Sequence, residues 1–152
     1  MKNLKKPNHI KKMQNLNHNH TINNEQYSWS SAMDKIRLIR VGIPKASINV
    51  VSKKANISFK AVFCYLTIKE EEFYNKSLQT LNKKDSETIL DLIEILDYGN
   101  YVFNNENEKF QRWLKKPNSY LNDIIPSSLF DSFSGIQEVR KCLNRIDFGN
   151  MA

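Results

Sequence analysis

The stretch NKKDSETILDLIEILDYGNYVF, residues 82–103, decides the fold. Asn82 can cap a helix at its first turn, and Asp85 stands three residues later, in the position of a capping box. Apolar residues then recur at the spacing of one helix face, namely Ile89, Leu92, Ile93 and Leu96. The pattern predicts one long helix whose apolar stripe belongs to the core and which links two halves of the chain.

Short helices are expected before this segment. Ser31 and Ser58 each stand where a side-chain oxygen can cap a helix, and Gly42 and Asn56 are suitable helix ends. Pro44 suits the first turn of a helix. The expected helices run from Ser31 to Gly42, from Pro44 to Asn56, from Phe59 to Leu66 and from Glu70 to Lys76. Short helices joined by a tight turn are the outline of a helix-turn-helix.

The last third of the chain predicts a compact helical unit. A helix over residues 106–115 carries Phe110 and Trp113, and Pro126 can open a short helix. Ser134 and Gln137 form a capping-box pattern for a final helix that ends at a glycine, Gly149. With only 4 Gly and 4 Pro in 152 residues, a sheet-rich fold is excluded and an all-α fold is expected.

The net charge of +7 is concentrated at the start of the chain. Residues 1–29 carry five lysines against one acid, Glu25, and show no sustained hydrophobic period, so we expect a disordered basic leader. Such a leader attracts nucleic acid through phosphate contacts, or serves only to keep the protein soluble. The two cysteines and the length of the apolar runs both favour a cytoplasmic protein. Cys64 and Cys142 are read as buried free thiols, and the longest apolar run is too short to span a membrane.

Catalytic and metal-binding patterns are absent from the sequence. No histidine follows His20, and there is no glycine-rich phosphate loop, so we expect no enzyme and no cofactor. His18 and His20 lie in the leader with no Cys or carboxylate at ligand spacing, which argues against a metal site. Asp91, Glu94 and Asp97 share one helix face, and a solvated face explains them.

The last fifty residues contain a longer ordered pattern. Its members are Val102-Phe103, Phe110, Trp113-Leu114, Pro117-Asn118, Leu121, Pro126, Leu129, Gly135, Val139, Leu143, Arg145-Ile146 and Gly149. In order and spacing, this pattern resembles the Xre/MbcA/ParS toxin-binding antitoxin family. Upstream, Gly42-Ile43-Pro44 and residues 57–86 resemble the Xre-type helix-turn-helix half of that family.

The resemblance implies a type II antitoxin that binds and neutralises a cognate RES-domain toxin, which degrades NAD, and that represses its own operon. It implies a helix-turn-helix dimerisation and DNA-binding half (30–81), a linking helix (82–103) and a toxin-binding domain (104–152). A homodimer and operator DNA are expected partners, and no membrane is. The toxin-binding residues would be Arg145, Phe148, Asn150, Met151 and Ala152.

One stretch departs from the family pattern. The family places Ser, Arg and Thr along its recognition helix, whereas Glu70, Glu71 and Glu72 stand here, and three carboxylates would repel phosphate. Any DNA contact would then fall to lysines, namely Lys2, Lys5, Lys6, Lys11, Lys12, Lys69 and Lys76. The alternatives are a helix-turn-helix transcriptional regulator without a toxin partner and a structural interaction module.

Overall fold

A computed structural model of the chain describes residues 18–22 and 25–149. Its helices are α1 (Ala32–Val41), α2 (Ser47–Ala55), α3 (Phe59–Val62), α4 (Glu70–Phe73), α5 (Lys83–Val102), α6 (Asn107–Leu114) and α7 (Phe133–Asp147). Short 3-10 helices cover Phe63–Tyr65, Ser119–Leu121 and Pro126–Asp131. Strands β1 (His18–Ile22) and β2 (Glu25–Trp29) pair antiparallel. The expected helical fold is thus confirmed in outline, with a two-stranded sheet added. Within the described ranges, no helix is long and apolar enough to cross a membrane.

Helix α5 is the centre of the fold. It begins where the sequence predicts, because the Asn82 side chain accepts a hydrogen bond from the Asp85 amide at 2.8 Å. Helices α1, α2 and α7 pack against it. The buried residues of α5 extend beyond the predicted stripe and include Leu90, Ile95, Tyr98 and Gly99. A helix buried over so much of its circumference forms the core of the molecule rather than a simple linker.

Asp85 ties a loop to the start of α5. It is fully buried, and its carboxylate accepts hydrogen bonds from the Thr67 amide (2.7 Å), the Thr67 hydroxyl (2.8 Å) and the Ile68 amide (3.1 Å). The Asn82 side chain donates to the same carboxylate at 2.8 Å. Asp85 therefore satisfies backbone amides of the 66–69 loop in addition to its position at the start of α5.

Three of the four helix starts in the N-terminal half follow the sequence, but the start of α2 and the end of α4 differ. The Ser31 and Ser58 side chains cap α1 and α3 as predicted. Helix α2 starts at Ser47 and not at Pro44, because the backbone on either side of Pro44 pairs with the segment before α5, with Leu81 N donating to Ile43 O at 2.8 Å. The helix expected over residues 70–76 is the single turn of α4.

The predicted capping box of the final helix is wrong. Ser132, and not Ser134, caps α7, and its hydroxyl accepts from the Gly135 amide at 3.1 Å. The helix starts early because Gly135 lies against the 126–131 turn, where a Cβ atom on it would stand 2.1 Å from the Leu129 carbonyl oxygen. Only glycine allows this approach. At the other end, Gly149 has the left-handed φ of 69° expected of a helix terminator.

The N-terminal segment also departs from expectation. Disorder was expected over residues 1–29, but residues 18–22 and 25–29 form the β1–β2 hairpin. Trp29 is only 3% exposed and belongs to the core cluster, and His18 is 8% exposed. Burial of a tryptophan outweighs the polar composition of this segment. The rest of the expected leader, including its five lysines, lies outside the described residues.

We expect Gly99→Ala to lower the free energy of unfolding by about 1–3 kcal/mol, the usual cost of overpacking a core. A Cβ atom at Gly99 would stand 2.1 Å from Cζ of Phe110, so the ring must move. The gain in helix propensity, about 1 kcal/mol, offsets only part of this cost. Urea unfolding followed by circular dichroism measures the change.

The exposed Glu87 on the same helix provides the control, and Glu87→Ala should change stability by no more than about 0.5 kcal/mol. A second test places Gly99→Ala in a Phe110→Leu background, where the smaller side chain makes room and the cost should fall. An equal cost in both backgrounds would show that the Phe110 ring is not the obstacle.

Candidate functional site

The loop between α6 and the 126–131 turn is closed by its own hydrogen bonds. The Asn118 side chain accepts from the Tyr120 amide at 2.9 Å, which forms an asparagine turn. The Asn118 amide donates to the Ile124 carbonyl at 3.2 Å. Asn122 and Asp123 adopt left-handed conformations between them. The result is a compact turn with Tyr120 and Ile124 on its outside, 41% and 43% exposed.

Arg145 lies on α7 beside this loop. Its guanidinium carbon is 4.7 Å from the centroid of the Tyr120 ring, a cation–π geometry. The side chain is exposed, and its direction is set by the ring beneath it. Sequence reasoning selected Arg145 but missed Tyr120, because the two residues are 25 positions apart and no spacing rule joins a loop tyrosine to a helical arginine.

A shallow cavity of about 260 Å³ adjoins this pair. Trp113 and Pro117 line one side, and Cys142 and Ile146 line the other. Burial raises the pKa of the Cys142 thiol, so this cysteine is a neutral, buried group as predicted. Cys64 is exposed, and the prediction of a buried thiol is wrong there, since α3 passes into a 3-10 turn at the surface.

The C-terminal third displays most of the large apolar side chains that are exposed in the described part of the chain. Eight such residues occur in those ranges, and five of them fall within residues 120–148: Tyr120, Ile124, Ile125, Phe133 and Phe148. Phe148, a predicted toxin contact, is 44% exposed at the end of α7. The other predicted contacts, Asn150, Met151 and Ala152, lie outside the described residues. Exposed apolar side chains concentrated on one segment are typical of a surface that binds a partner.

Two of the predicted DNA-contacting residues, Lys69 and Lys76, lie in the part of the chain that the structure describes. Lys69 and Lys76 are exposed on either side of α4, whose first turn carries Glu70, Glu71 and Glu72. The Glu72 carboxylate accepts from the Lys69 amide at 2.7 Å. Lys2, Lys5, Lys6, Lys11 and Lys12 lie outside the described residues. The three glutamates in the first turn of α4 would therefore repel DNA phosphates, as the sequence indicates.

A second charged cluster contains the three acids of α5, namely Asp91, Glu94 and Asp97, for which the sequence predicts a solvated face. That expectation is wrong. Lys35 of α1 donates to both Asp91 and Glu94, and the indole nitrogen of Trp29 donates to Glu94 at 2.8 Å. Arg140 of α7 adds an ion pair to Glu94 at 3.8 Å. The acids face neighbouring elements because those elements enclose α5.

Asp97, like Glu94, contacts three neighbouring polar or charged groups. One oxygen, Oδ2, is 2.7 Å from His18 Nδ1 and 3.3 Å from His20 Nε2, and the other accepts from Lys54. Burial alone would raise the pKa of Asp97, but the contacts with His18, His20 and Lys54 hold it well below its usual range. At Asp91, burial raises the pKa in spite of the adjacent Lys35. No spacing rule in the sequence connects residues 18 and 97.

These features define a mainly helical protein whose C-terminal third displays several exposed apolar side chains. Residues 99–149 match the family model described as the antitoxin Xre/MbcA/ParS C-terminal toxin-binding domain. The resemblance predicted from the C-terminal pattern is therefore confirmed over this segment.

One curated relative is similar to part of the chain. It is named "Antitoxin Xre", from Photorhabdus laumondii subsp. laumondii, and is 29% identical over 65 residues. The alignment covers 43% of this chain and 44% of that protein, so the chain spans less than half the length of the relative it matches. The Tyr120–Arg145 surface and the adjoining cavity lie within the segment that matches the family model.

We expect Asp97→Asn to lower the free energy of unfolding near pH 7 by about 1.5–3 kcal/mol, the usual range for hydrogen bonds to a charged group. Because the folded-state pKa of Asp97 is depressed, its contribution is present above the unfolded pKa of about 3.9 and is lost as the pH falls below that value. The difference between wild type and Asp97→Asn should therefore shrink below about pH 4.

Urea unfolding of both proteins at several pH values measures this difference. Asp131→Asn, the same chemical change at an exposed carboxylate, is the matched control and should have little effect at any pH. If the loss of unfolding free energy in Asp97→Asn is constant down to about pH 3, the pKa of Asp97 is not depressed in the folded protein.

Proposed function

We propose that the protein is the antitoxin of a type II toxin–antitoxin pair and has no enzymatic activity of its own. The observation that carries the proposal is the match of residues 99–149 to a toxin-binding domain, on the segment that displays the Tyr120–Arg145 pair and the neighbouring apolar residues. An aromatic ring under an arginine, beside a cavity that Trp113 and Ile146 help to line, has the composition of an interface hot spot.

The toxin is proposed to be a RES-domain protein that degrades NAD, as the resemblance implies. Arg145 and Phe148 lie three positions apart at the end of α7, so both belong to the same end of the molecule. Asn150, Met151 and Ala152 follow in the sequence, and we assign them to the same contact. An arginine here suits an acidic residue at the rim of the toxin's active site.

The N-terminal half is proposed to form a homodimer. Met33 and Val41 of α1 are 57% and 81% exposed, an apolar surface that a second copy would cover. Autorepression through operator DNA is the accompanying proposal. Because α4 presents three glutamates, the binding energy would come mainly from the lysines of residues 1–12.

We expect Tyr120→Ala and Arg145→Ala each to weaken toxin binding at least tenfold, which corresponds to about 1.4 kcal/mol. The two effects should not add in the double variant, because each side chain holds the other in place. Calorimetry with the co-encoded toxin measures binding, and survival of cells expressing both proteins measures neutralisation.

Tyr74→Ala is the matched control, since Tyr74 is 66% exposed but lies in the N-terminal half. Deletion of residues 150–152 tests the terminal contact separately. If Tyr120→Ala and Arg145→Ala fold normally and still neutralise the toxin at wild-type affinity, the toxin contacts another surface. If the wild-type protein leaves toxicity unchanged with both proteins present, the antitoxin function itself is wrong.

The DNA proposal has its own test. Replacing the five lysines of residues 1–12 with glutamine should reduce the slope of log affinity against log salt by about 4 to 5, at ~0.9 per phosphate contact. Lysine substitution is preferable to removal of residues 1–29, which would also remove the buried Trp29. Replacing Lys69 and Lys76 should have a smaller effect because glutamates neighbour them. Operator binding that is tight and unchanged after the five replacements would contradict the proposal that these lysines supply most of the binding energy.

The remaining candidate is a transcriptional regulator without a toxin. The helical outline of residues 32–73 favours it, and the glutamates of α4 weigh against it. A toxin gene in the adjacent reading frame would support the antitoxin, whereas tight operator binding without any toxin partner would support the regulator.

A further inference from the structure

We propose that His18, His20 and Asp97 form a binding site for a divalent transition-metal ion, for which Zn²⁺ is the natural probe. The site would join the N-terminal hairpin to the central helix. It is separate from the C-terminal surface to which toxin binding is assigned above, and it does not depend on the antitoxin function.

The three side chains converge on one point. Asp97 Oδ2 lies 2.7 Å from His18 Nδ1 and 3.3 Å from His20 Nε2, and one ligand atom from each residue lies within 4.8 Å of the others. Around a tetrahedral ion with bonds of about 2.0–2.1 Å, ligand atoms stand roughly 3.3 Å apart. Small side-chain rotations would therefore admit an ion between these atoms.

The hairpin explains why the two histidines share a face. Residues 18 and 20 of β1 are separated by two positions, so their side chains lie on the same side of the strand. Trp29, opposite His18 in the register, stacks on its ring with centroids 5.0 Å apart. Asp97 comes from α5, against which this face of the hairpin packs. The donors are thus held by two elements before any ion arrives.

One ring nitrogen of the cluster, His20 Nε2, is left without a hydrogen bond and could serve as a metal ligand. His20 Nε2 is buried and makes no hydrogen bond of acceptable geometry, although it lies close to the Asp97 carboxylate. Buried polar nitrogens are seldom left in this state. An ion bound between His20 Nε2 and Asp97 Oδ2 would satisfy the ring nitrogen.

The surroundings suit a metal ligand set. Lys54 binds Asp97 Oδ1, which leaves Oδ2 for the ion and fixes the orientation of the carboxylate. Two imidazoles and one carboxylate select Zn²⁺ and its transition-metal neighbours over Mg²⁺ or Ca²⁺, which prefer all-oxygen sites. Three protein ligands leave a fourth position for water. The side chains of His18, His20 and Asp97 are 9%, 11% and 19% exposed, so the ion would be largely enclosed.

Titration of the full-length, metal-free protein with Zn²⁺ against a chromophoric chelator tests the proposal. We expect one ion per chain, with affinity reduced at least tenfold in His18→Asn, in His20→Asn and in Asp97→Asn. The third histidine of the chain provides the matched control, and His9→Asn should bind as wild type does.

A second measurement needs no change at the site. In a Trp113→Phe background Trp29 is the remaining tryptophan, and Co²⁺ binding should quench its fluorescence because it stacks on His18. Long-range ¹H–¹⁵N spectra of wild type should show Zn²⁺ shifting the ring nitrogens of His18 and His20. Absence of stoichiometric uptake, or uptake that leaves those nitrogens and the Trp29 fluorescence unchanged, overturns the proposal.

Discussion

The structure depends on the enclosure of α5. This helix buries apolar side chains around most of its circumference, so the rest of the chain must supply neighbours on most sides of it. The same helix carries Asp91, Glu94 and Asp97, and enclosure removes those carboxylates from water. Each carboxylate therefore needs a cation or a donor from the element that covers it, because a buried unpaired charge is strongly destabilising. The neighbouring elements provide these groups, namely Lys35, Lys54, Arg140, Trp29, His18 and His20.

Two close contacts then fix the C-terminal third against this centre. Gly99 lets the Phe110 ring of α6 lie directly on α5, and Gly135 lets α7 start against the Leu129 carbonyl. Neither contact leaves space for a methyl group. With α6 and α7 held in this way, the loop that carries Tyr120 meets the side of α7 that carries Arg145. Backbone packing at two glycines thus determines the geometry of a surface some distance from both.

Local patterns predicted what depends on local interactions. The start of α5 at Asn82 and the terminator Gly149 follow from side-chain or backbone preferences within a few residues. The matched C-terminal segment could be recognised because its residues occur in a fixed order. The hairpin and the partners of Asp97 could not be predicted, because the stabilising contacts join residues 43 to 79 positions apart. Ser132 was missed as a cap because the tight contact at Gly135 is invisible in the sequence.

The separation of 79 positions between His18 and Asp97 also affects how the molecule folds and unfolds. The hairpin cannot dock until the chain has been made as far as Asp97 and α5 has formed, since its contacts lie on that helix. Its two strands bond to each other and not to a larger sheet, and an isolated hairpin is marginal in water. The hairpin is therefore the first unit expected to detach in a partial unfolding event, while the amides of α5 stay protected from hydrogen exchange. Detachment would uncover Glu94 and Asp97 together and present proteases with an extended strand, so the lifetime of the protein would follow the docking equilibrium of this small element.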